Sequence, residues 1–367
     1  MHFDFQQLMQ QATRLTQSGD LSAATAAIQA ALNGVAPAAR APRDDSDVID
    51  VEAIEIPEPA QTYDPDPAIV EEVDPPLRKP SVPGDTFTAG TFRNSAGHRG
   101  YKLYVPPNAG EKPLPLVVML HGCTQDADDF AAGTAMNDAA RSQGFYVLYP
   151  VQSQQGNPQK CWNWFKHNHQ QKGRGEPAIL AGMTRSVMEQ HAIDPQRVYV
   201  AGLSAGGAMA AILAGAYPEL YAAAGVHSGL AAGAASDLSS ALSAMKGTGI
   251  RAATPTGSGV PTIVFHGDRD ATVHPGNAHA VAAASAGSSA SVESGRMQGA
   301  GTRRHSTKHV YRNAAGEVMA ERWEIHGAGH AWAGGKESGS YTDRTGPDAT
   351  GEMVRFFFER TLRSKRP

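Results

Sequence analysis

The sequence predicts an α/β fold with a doubly wound, mostly parallel sheet. From about residue 84 onward, apolar strand-like runs alternate with helical patterns, which is typical of βαβ units. The central runs carry no polar alternation, as expected for strands that are covered by helices on both faces. With 367 residues, the chain is long enough to bury such a core without disulfide support.

The chain divides into three predicted parts. Residues 1–35 have apolar positions at helical spacing on both sides of a break at Gly19 and Asp20, which predicts an αα-hairpin. Residues 36–83 are proline-rich and contain 12 acidic against 4 basic residues, which predicts a disordered linker. Its branched apolar residues also suit a strand that adds to a partner. Residues 84–367 form the predicted α/β domain.

The predicted strands of this domain follow one another with helical patterns between most of them. The first, GYKLYVPP, is interpreted as an outer strand. The glycine-, alanine- and serine-rich stretches 231–259 and 282–301 are interpreted either as mobile flaps or as surface loops. The remaining strands are LPLVVMLHG, FYVLYP, residues 197–201, YAAAGVHSGL, PTIVFHG and VMAERWEIHG.

Composition excludes several classes of protein. The net charge of −4 gives no reason to expect a nucleic-acid partner, and no run of about 18 apolar residues predicts a membrane span. The N-terminus has neither the basic start nor the apolar run of a signal peptide, so we expect a cytoplasmic protein. Two cysteines and histidines without ligand spacing predict no metal and no cofactor.

The segment VYVAGLSAGGAMA indicates a nucleophile. Gly202, Ser204 and Gly206 fit the G-x-S-x-G pattern, in which a strand turns sharply into a helix and exposes the serine hydroxyl above the sheet. The preceding residues read as a buried strand, and the following ones read as a helix that ends at Pro218. Ser204 is therefore the predicted nucleophile.

Two later strand ends supply an acid and a base. In parallel sheets, sites form at the carboxyl ends of strands, and the order Ser, Asp, His is that of α/β-hydrolases. Asp270 is preferred to Asp268 because it lies deeper in the turn after its strand. His330 is preferred to His326 because glycines on its loop allow it to turn over the serine. A serine needs such a base, and the acid orients the imidazole.

An acyl-transfer site also needs two donors for the developing oxyanion. One is the backbone N–H of Ala205, the residue after the nucleophile. The other comes from the loop in LHGCTQ, where Cys123 and Thr124 are both candidates. His121 is interpreted as a residue that holds its loop by hydrogen bonds, and His227 as a structural or pocket-lining residue.

The motifs together resemble the poly(3-hydroxybutyrate) depolymerase family of esterases, which is related to feruloyl and acetylxylan esterases. The resemblance covers roughly residues 85–362 and implies Ser204 as nucleophile, Asp270 as acid and His330 as base. The motifs are LHGCTQ, CWNWF, GEPAIL, IDPQRVYVAGLSAGGAM, AGVHSG, VFHGDRDATVHP and GAGHAWAGG.

The loop positions of the tryptophans and cysteines allow two further predictions. Trp162, Trp164 and Trp332 are candidates for an apolar substrate groove, with core packing as the alternative. Cys123 follows the predicted oxyanion loop and Cys161 starts the loop with Trp162 and Trp164, so the two cysteines are expected to be neighbours. They form either a disulfide or a pair of free thiols.

These features predict a serine esterase that acts on 3-hydroxybutyrate polyesters or oligomers, or on small esters, through an acyl-enzyme. A feruloyl or acetylxylan type of carbohydrate esterase is the second hypothesis, and a peptidase on the same fold is the third. A non-catalytic scaffold that acts through the hairpin and linker is the alternative from another class. Residues 1–80 are candidates for binding a polymer granule or a protein partner.

Overall fold

The computed structural model describes residues 84–249, 259–287, 290–299 and 301–362. The predicted hairpin at residues 1–35 and the predicted linker at 36–83 lie outside the described residues. In the part that the structure describes, no helix has both the length and the apolar character needed to cross a membrane.

The described chain consists of strands and helices that alternate through its central part. The strands are β1 (Thr86–Asn94), β2 (Gly97–Val105), β3 (Leu114–Leu120), β4 (Tyr146–Val151), β5 (Ile193–Leu203), β6 (Ala223–His227), β7 (Thr262–Gly267), β8 (Ser291–Met297), β9 (Ser306–Arg312), β10 (Val318–Ile325), β11 (Trp332–Ala333) and β12 (Thr342–Asp343). The α-helices are α1 (Ala127–Thr134), α2 (Met136–Gln143), α3 (Gly175–Gln190), α4 (Ala205–Ala216), α5 (Leu238–Met245), α6 (Gly276–Ala286) and α7 (Ala349–Phe358).

Within the described residues, ten strands form one sheet in the order β1-β2-β4-β3-β5-β6-β7-β10-β9-β8. The six central strands of this order are parallel to one another. They are β4, β3, β5, β6, β7 and β10. The two strands on each side of them pair antiparallel. The prediction of a mostly parallel sheet is therefore confirmed. A small parallel ladder joins β11 to β12.

Both faces of the sheet are covered by apolar layers, as the pattern of β3 shows. All seven residues of β3 are buried. Leu116, Val118 and Leu120 belong to the core that includes α3 and α4, whereas Val117 and Met119 belong to the core that includes α7. Because side chains alternate along a strand, a run that is apolar at every position supplies both layers.

The edges of the sheet differ from the sequence prediction. GYKLYVPP contributes to β2, which is not the outer strand, since β1 pairs beyond it. The stretch 282–301 is not a plain loop, because it contains the end of α6 and the edge strand β8. Every residue of β8 is exposed, and its mostly polar sequence gives no strand signal. Among the described elements, β8 is ordered by its pairing with β9. In the stretch 231–259, α5 is a further element that the prediction missed.

Candidate active site

Ser204 stands alone between the end of β5 and the start of α4. Its backbone has φ 57° and ψ −118°, which is a strained conformation for a residue other than glycine. The Ser204 N–H donates to the carbonyl oxygen of His227 at 2.8 Å. Within the described residues, the partly exposed hydroxyl makes no hydrogen bond, so it can rotate toward a base.

The glycines of this turn are required by close backbone approach. A Cβ atom at Gly206 would overlap the carbonyl oxygen of Leu120 and lie 2.6 Å from that of His121. A Cβ atom at Gly202 would overlap the backbone of Gly206. The sharp turn therefore depends on contacts with the end of β3, which also carries the loop of the predicted oxyanion donors.

We expect Gly206→Ala to lower the free energy of unfolding by about 3 kcal/mol, because the Leu120 backbone cannot move away without disturbing β3. Gly215→Ala in the same helix is the matched control, since nothing lies within 4 Å of a Cβ there. We expect the control to raise stability by up to about 1 kcal/mol through helix propensity. Urea unfolding of both variants measures this, and equal effects would contradict the clash.

Asp270 follows β7 and its side chain is fully buried. One carboxylate oxygen accepts the backbone N–H groups of Thr272 and Val273, each at 2.9 Å. The other lies 2.7 Å from His330 Nδ1 and 3.2 Å from His266 Nε2. Burial by itself raises the pKa of Asp270, but hydrogen bonds from the two histidines outweigh it and hold the pKa well below the usual range.

His330 lies on the loop after β10, and its side chain is 12% exposed. Because Nδ1 donates its proton to Asp270, the neutral imidazole keeps an acceptor lone pair at Nε2. The turn that holds Ser204 and the loop that holds His330 follow the parallel strands β5 and β10, so both lie at the same edge of the sheet. The arrangement suits a general base that acts on the serine.

The two alternative residues form a separate pair. Asp268 lies 3.2 Å from His326 Nδ1 and accepts the Gly327 N–H at 2.7 Å. His326 Nε2 lies 2.9 Å from the hydroxyl of Thr307. These contacts tie the loop after β10 to the loop after β7. With Glu324, the pair places metal-ligand atoms within 4.8 Å of one another, so these residues could hold a cation.

The loop after β3 distinguishes the two oxyanion candidates. The Thr124 N–H donates to the carbonyl oxygen of Gln159 at 2.7 Å, and Thr124 has a φ of 67°. Among the described residues, the Cys123 N–H has no hydrogen-bond acceptor. The Ala205 N–H also has no acceptor in the part of the chain that the structure describes, because Ala205 begins α4 and no helical turn precedes it. The structure therefore favours Cys123 over Thr124 as the partner of Ala205.

Several contacts hold the Cys123 loop against residues 152–162. A disulfide joins Cys123 to Cys161. The Trp162 indole N–H donates to the carbonyl oxygen of His121 at 3.1 Å, and the Gln152 N–H donates to His121 Nε2 at 3.1 Å. Burial lowers the pKa of His121 to about 4, so its imidazole is neutral and can accept this bond at neutral pH.

A buried carboxylate, Glu176 at the start of α3, anchors residues 152–162 in turn. It accepts the backbone N–H and the side-chain amide of Asn163, each at 2.7 Å, together with the amide of Gln152 and the guanidinium of Arg99. Burial raises the pKa of Glu176, but hydrogen bonds from His169 and these amides more than compensate, and the pKa lies below its usual value. The motif GEPAIL contains this residue, although no pattern in the sequence revealed its role.

The three tryptophans of the predicted substrate groove are buried. Trp162, Trp164 and Trp332 are only 0%, 6% and 1% exposed. Trp332 stacks on His227 with 5.1 Å between ring centroids, and its N–H donates to the Thr350 hydroxyl at 3.0 Å. The prediction that these rings line a substrate groove is therefore wrong, because all three pack in the apolar core and the N–H groups of Trp162 and Trp332 are bonded within the protein.

His227, at the end of β6, joins the nucleophile turn to the loop after the base. Its carbonyl oxygen accepts the Ser204 N–H, and its Nε2 accepts the Ala333 N–H at 2.9 Å. Its ring lies between Phe265 and Trp332. Burial lowers its pKa to about 3, which keeps Nε2 an acceptor at neutral pH. Of the two roles predicted for His227, structural or pocket-lining, these contacts fit the structural one.

Known proteins resemble parts of this chain. Poly(3-hydroxyalkanoate) depolymerase C of Paucimonas lemoignei is 42% identical over 120 residues, which is 33% of this chain and 28% of that protein. Acetylxylan esterase A of Emericella nidulans is 32% identical over 151 residues, which is 40% of this chain and 47% of that protein. The matches thus span less than two thirds of either relative.

The fold also matches solved structures. An acetyl xylan esterase from Aspergillus awamori aligns with a TM-score of 0.53 at 22% identity, over 63% of this chain and 89% of that one. This likeness and the sheet order confirm the predicted α/β-hydrolase fold. The family model described as Esterase PHB depolymerase matches residues 99–309, which is more than half of the chain. The chain therefore belongs to the esterase PHB depolymerase family.

Proposed function

We propose that the protein is a serine esterase that hydrolyses carboxylic esters through an acyl-enzyme. The main support is the 2.7 Å contact between Asp270 and His330 Nδ1, at the sheet edge that also carries the strained Ser204. A buried acid, an oriented imidazole and a serine hydroxyl that is free to meet the imidazole are the three groups that this chemistry needs.

The proposed reaction has two steps, acylation of Ser204 and hydrolysis of the acyl-enzyme. The Ser204 hydroxyl attacks the ester carbonyl carbon while His330 Nε2 takes its proton, and Asp270 stabilises the imidazolium that forms. The N–H groups of Ala205 and Cys123 stabilise the oxyanion. Collapse of this intermediate breaks the bond to the alcohol, which leaves with the proton from His330. Water then attacks the acyl-enzyme by the same route and releases the acid.

The first proposed substrate class is 3-hydroxybutyrate polyester or its oligomers. The relative in Paucimonas lemoignei, a poly(3-hydroxyalkanoate) depolymerase, and the family itself support it. Feruloyl or acetylated carbohydrate esters are the second class, and relatives named acetylxylan esterase A and feruloyl esterase B support it. The proposed contact of residues 1–80 with a polymer granule or a protein partner lies outside the described residues.

One experiment tests the activity and ranks the substrates. The protein is incubated with a 3-hydroxybutyrate trimer, methyl ferulate and acetylated xylan oligomers, and kcat/KM is measured for each. A fluorophosphonate probe is then mapped by peptide mass spectrometry, with heat-denatured protein as the control. We expect the label on Ser204 and the highest kcat/KM for the trimer. Absence of both label and hydrolysis would favour a non-catalytic scaffold.

A further inference from the structure

An exposed aromatic ring lies beside the proposed oxyanion hole. The side chain of Tyr341 is 47% exposed, and its hydroxyl lies 3.3 Å from the Thr124 hydroxyl. Thr124 follows Cys123, whose N–H is one of the two proposed oxyanion donors. The Tyr341 carbonyl oxygen accepts the Trp332 N–H at 2.7 Å, two residues after His330. Tyr341 therefore contacts segments that carry both the oxyanion donor and the base.

Tyr341 has a φ of 52°, and hydrogen bonds hold the residue before it. The preceding Ser340 donates its N–H to Asp129 at 2.7 Å and its hydroxyl to the same carboxylate. The amide of Gln125 donates to the Ser340 carbonyl oxygen at 3.2 Å. Strained backbone persists where the surroundings over-determine it, and such positions cluster at functional sites.

The hydrogen bond of the phenol engages only the polar end of Tyr341. The Thr124 hydroxyl donates its single proton to the Cys123 carbonyl oxygen at 2.6 Å. In the contact with Tyr341, the phenol is therefore the donor and Thr124 is the acceptor. The polar end of Tyr341 is bonded to the protein, while nearly half of the residue remains exposed.

The other aromatic and exposed apolar side chains are placed differently. All four tryptophans are buried. Among the described residues, the remaining large exposed apolar side chains lie on α5 and on the edge strand β8 rather than on the oxyanion loop. They are Leu238, Leu242, Val292 and Met297.

We infer that Tyr341 is a substrate-contacting residue whose ring packs against an apolar or aromatic group of the ester, next to the scissile bond. An exposed aromatic ring that is held at its hydroxyl offers apolar contact area with little entropy to lose on binding. This inference rests on the proposed esterase activity. Tyr341 thereby favours esters with large apolar groups over small ones, and it supplies the exposed aromatic surface that the buried tryptophans cannot.

The test compares three esters in Tyr341→Ala and in the unaltered protein. Methyl acetate is the small ester, methyl 3-phenylpropanoate has a large acyl group, and phenethyl acetate has a large alcohol group. We expect Tyr341→Ala to lower the ratio of kcat/KM for at least one large ester to that for methyl acetate by about fivefold to tenfold. Tyr341→Phe keeps the ring but loses the hydrogen bond to Thr124, so it should keep most of the ratio. Met297→Ala, an exposed apolar side chain on β8, is the control.

The outcomes separate this inference from the activity on which it rests. If the unaltered protein hydrolyses none of the three esters, the proposed esterase function fails. If it hydrolyses them but Tyr341→Ala leaves both ratios within twofold, the Tyr341 inference alone is overturned. An equal loss for all three esters would also overturn it, because that result indicates damage to the fold. If Tyr341→Ala does not fold, Tyr341→Leu is measured instead, since it keeps bulk and removes the aromatic face.

Discussion

Replacement of Ser204 by alanine is expected to lower kcat for ester hydrolysis by about 10⁶-fold. The hydroxyl oxygen is the proposed nucleophile, so its loss prevents formation of the acyl-enzyme. The fold should survive, because alanine and serine meet a similar steric cost at the φ of 57° and the hydroxyl makes no hydrogen bond within the described residues. The residual rate should reflect water that attacks an ester held by the oxyanion donors alone.

The measurement is kcat on a soluble ester, with thermal unfolding recorded for the same samples. Ser186→Ala on α3 is the matched control, because that serine contacts Gln190 on the helix surface. We expect the control to retain its rate. A Ser204→Ala protein that is folded and within tenfold of the unaltered rate would show that another residue is the nucleophile.

We expect Asp270→Asn to lower kcat by about 10⁴-fold. An asparagine amide facing His330 Nδ1 would turn Nδ1 into an acceptor and move the proton to Nε2, which could then no longer take a proton from Ser204. Asp268→Asn is the matched control, since that carboxylate pairs with His326. The control should change kcat by less than tenfold. If Asp268→Asn were the more damaging variant, the acid and its partner would be misassigned.

The same substitution should alter the dependence of stability on pH. The folded pKa of Asp270 lies below its unfolded value of about 3.9, so the ionised group stabilises the fold above that pH and loses this contribution as the pH falls. Asp270→Asn should therefore reduce the slope of unfolding free energy against pH below about pH 5. Urea unfolding at several pH values measures the slope, and an unchanged slope would contradict the depressed pKa.

Much of the α/β core could be predicted because its signals are local. The seven apolar residues of β3 indicate a strand covered on both faces, and the glycines around Ser204 indicate a turn with close backbone contact. The polar edge strand β8 carried no such signal, because its order comes from pairing with β9. The strand β1 was missed for a related reason. None of its residues is fully buried, and it is ordered by pairing with β2.

The candidate site shows the same division. The roles of Ser204, Asp270 and His330 could be predicted from the sequence. Each residue follows a strand, and the carboxyl ends of parallel strands lie at the same edge of the sheet. The choice between Cys123 and Thr124 as oxyanion donor could not be predicted, because it depends on a hydrogen bond from the Thr124 N–H to the carbonyl oxygen of Gln159. Aromatic residues near motifs looked alike in the sequence, whether buried like Trp162 or exposed like Tyr341.

The sequence by itself determined the fold class, the family and the order of the proposed catalytic residues, because periodicity, turn glycines and short motifs are written in neighbouring positions. Only the tertiary structure decided that the tryptophans are buried, which N–H groups remain unused, and how Glu176, His227 and Tyr341 contact distant loops. Those properties depend on atoms that are brought together from segments far apart in the chain. No local pattern records the burial or the hydrogen bonds that result.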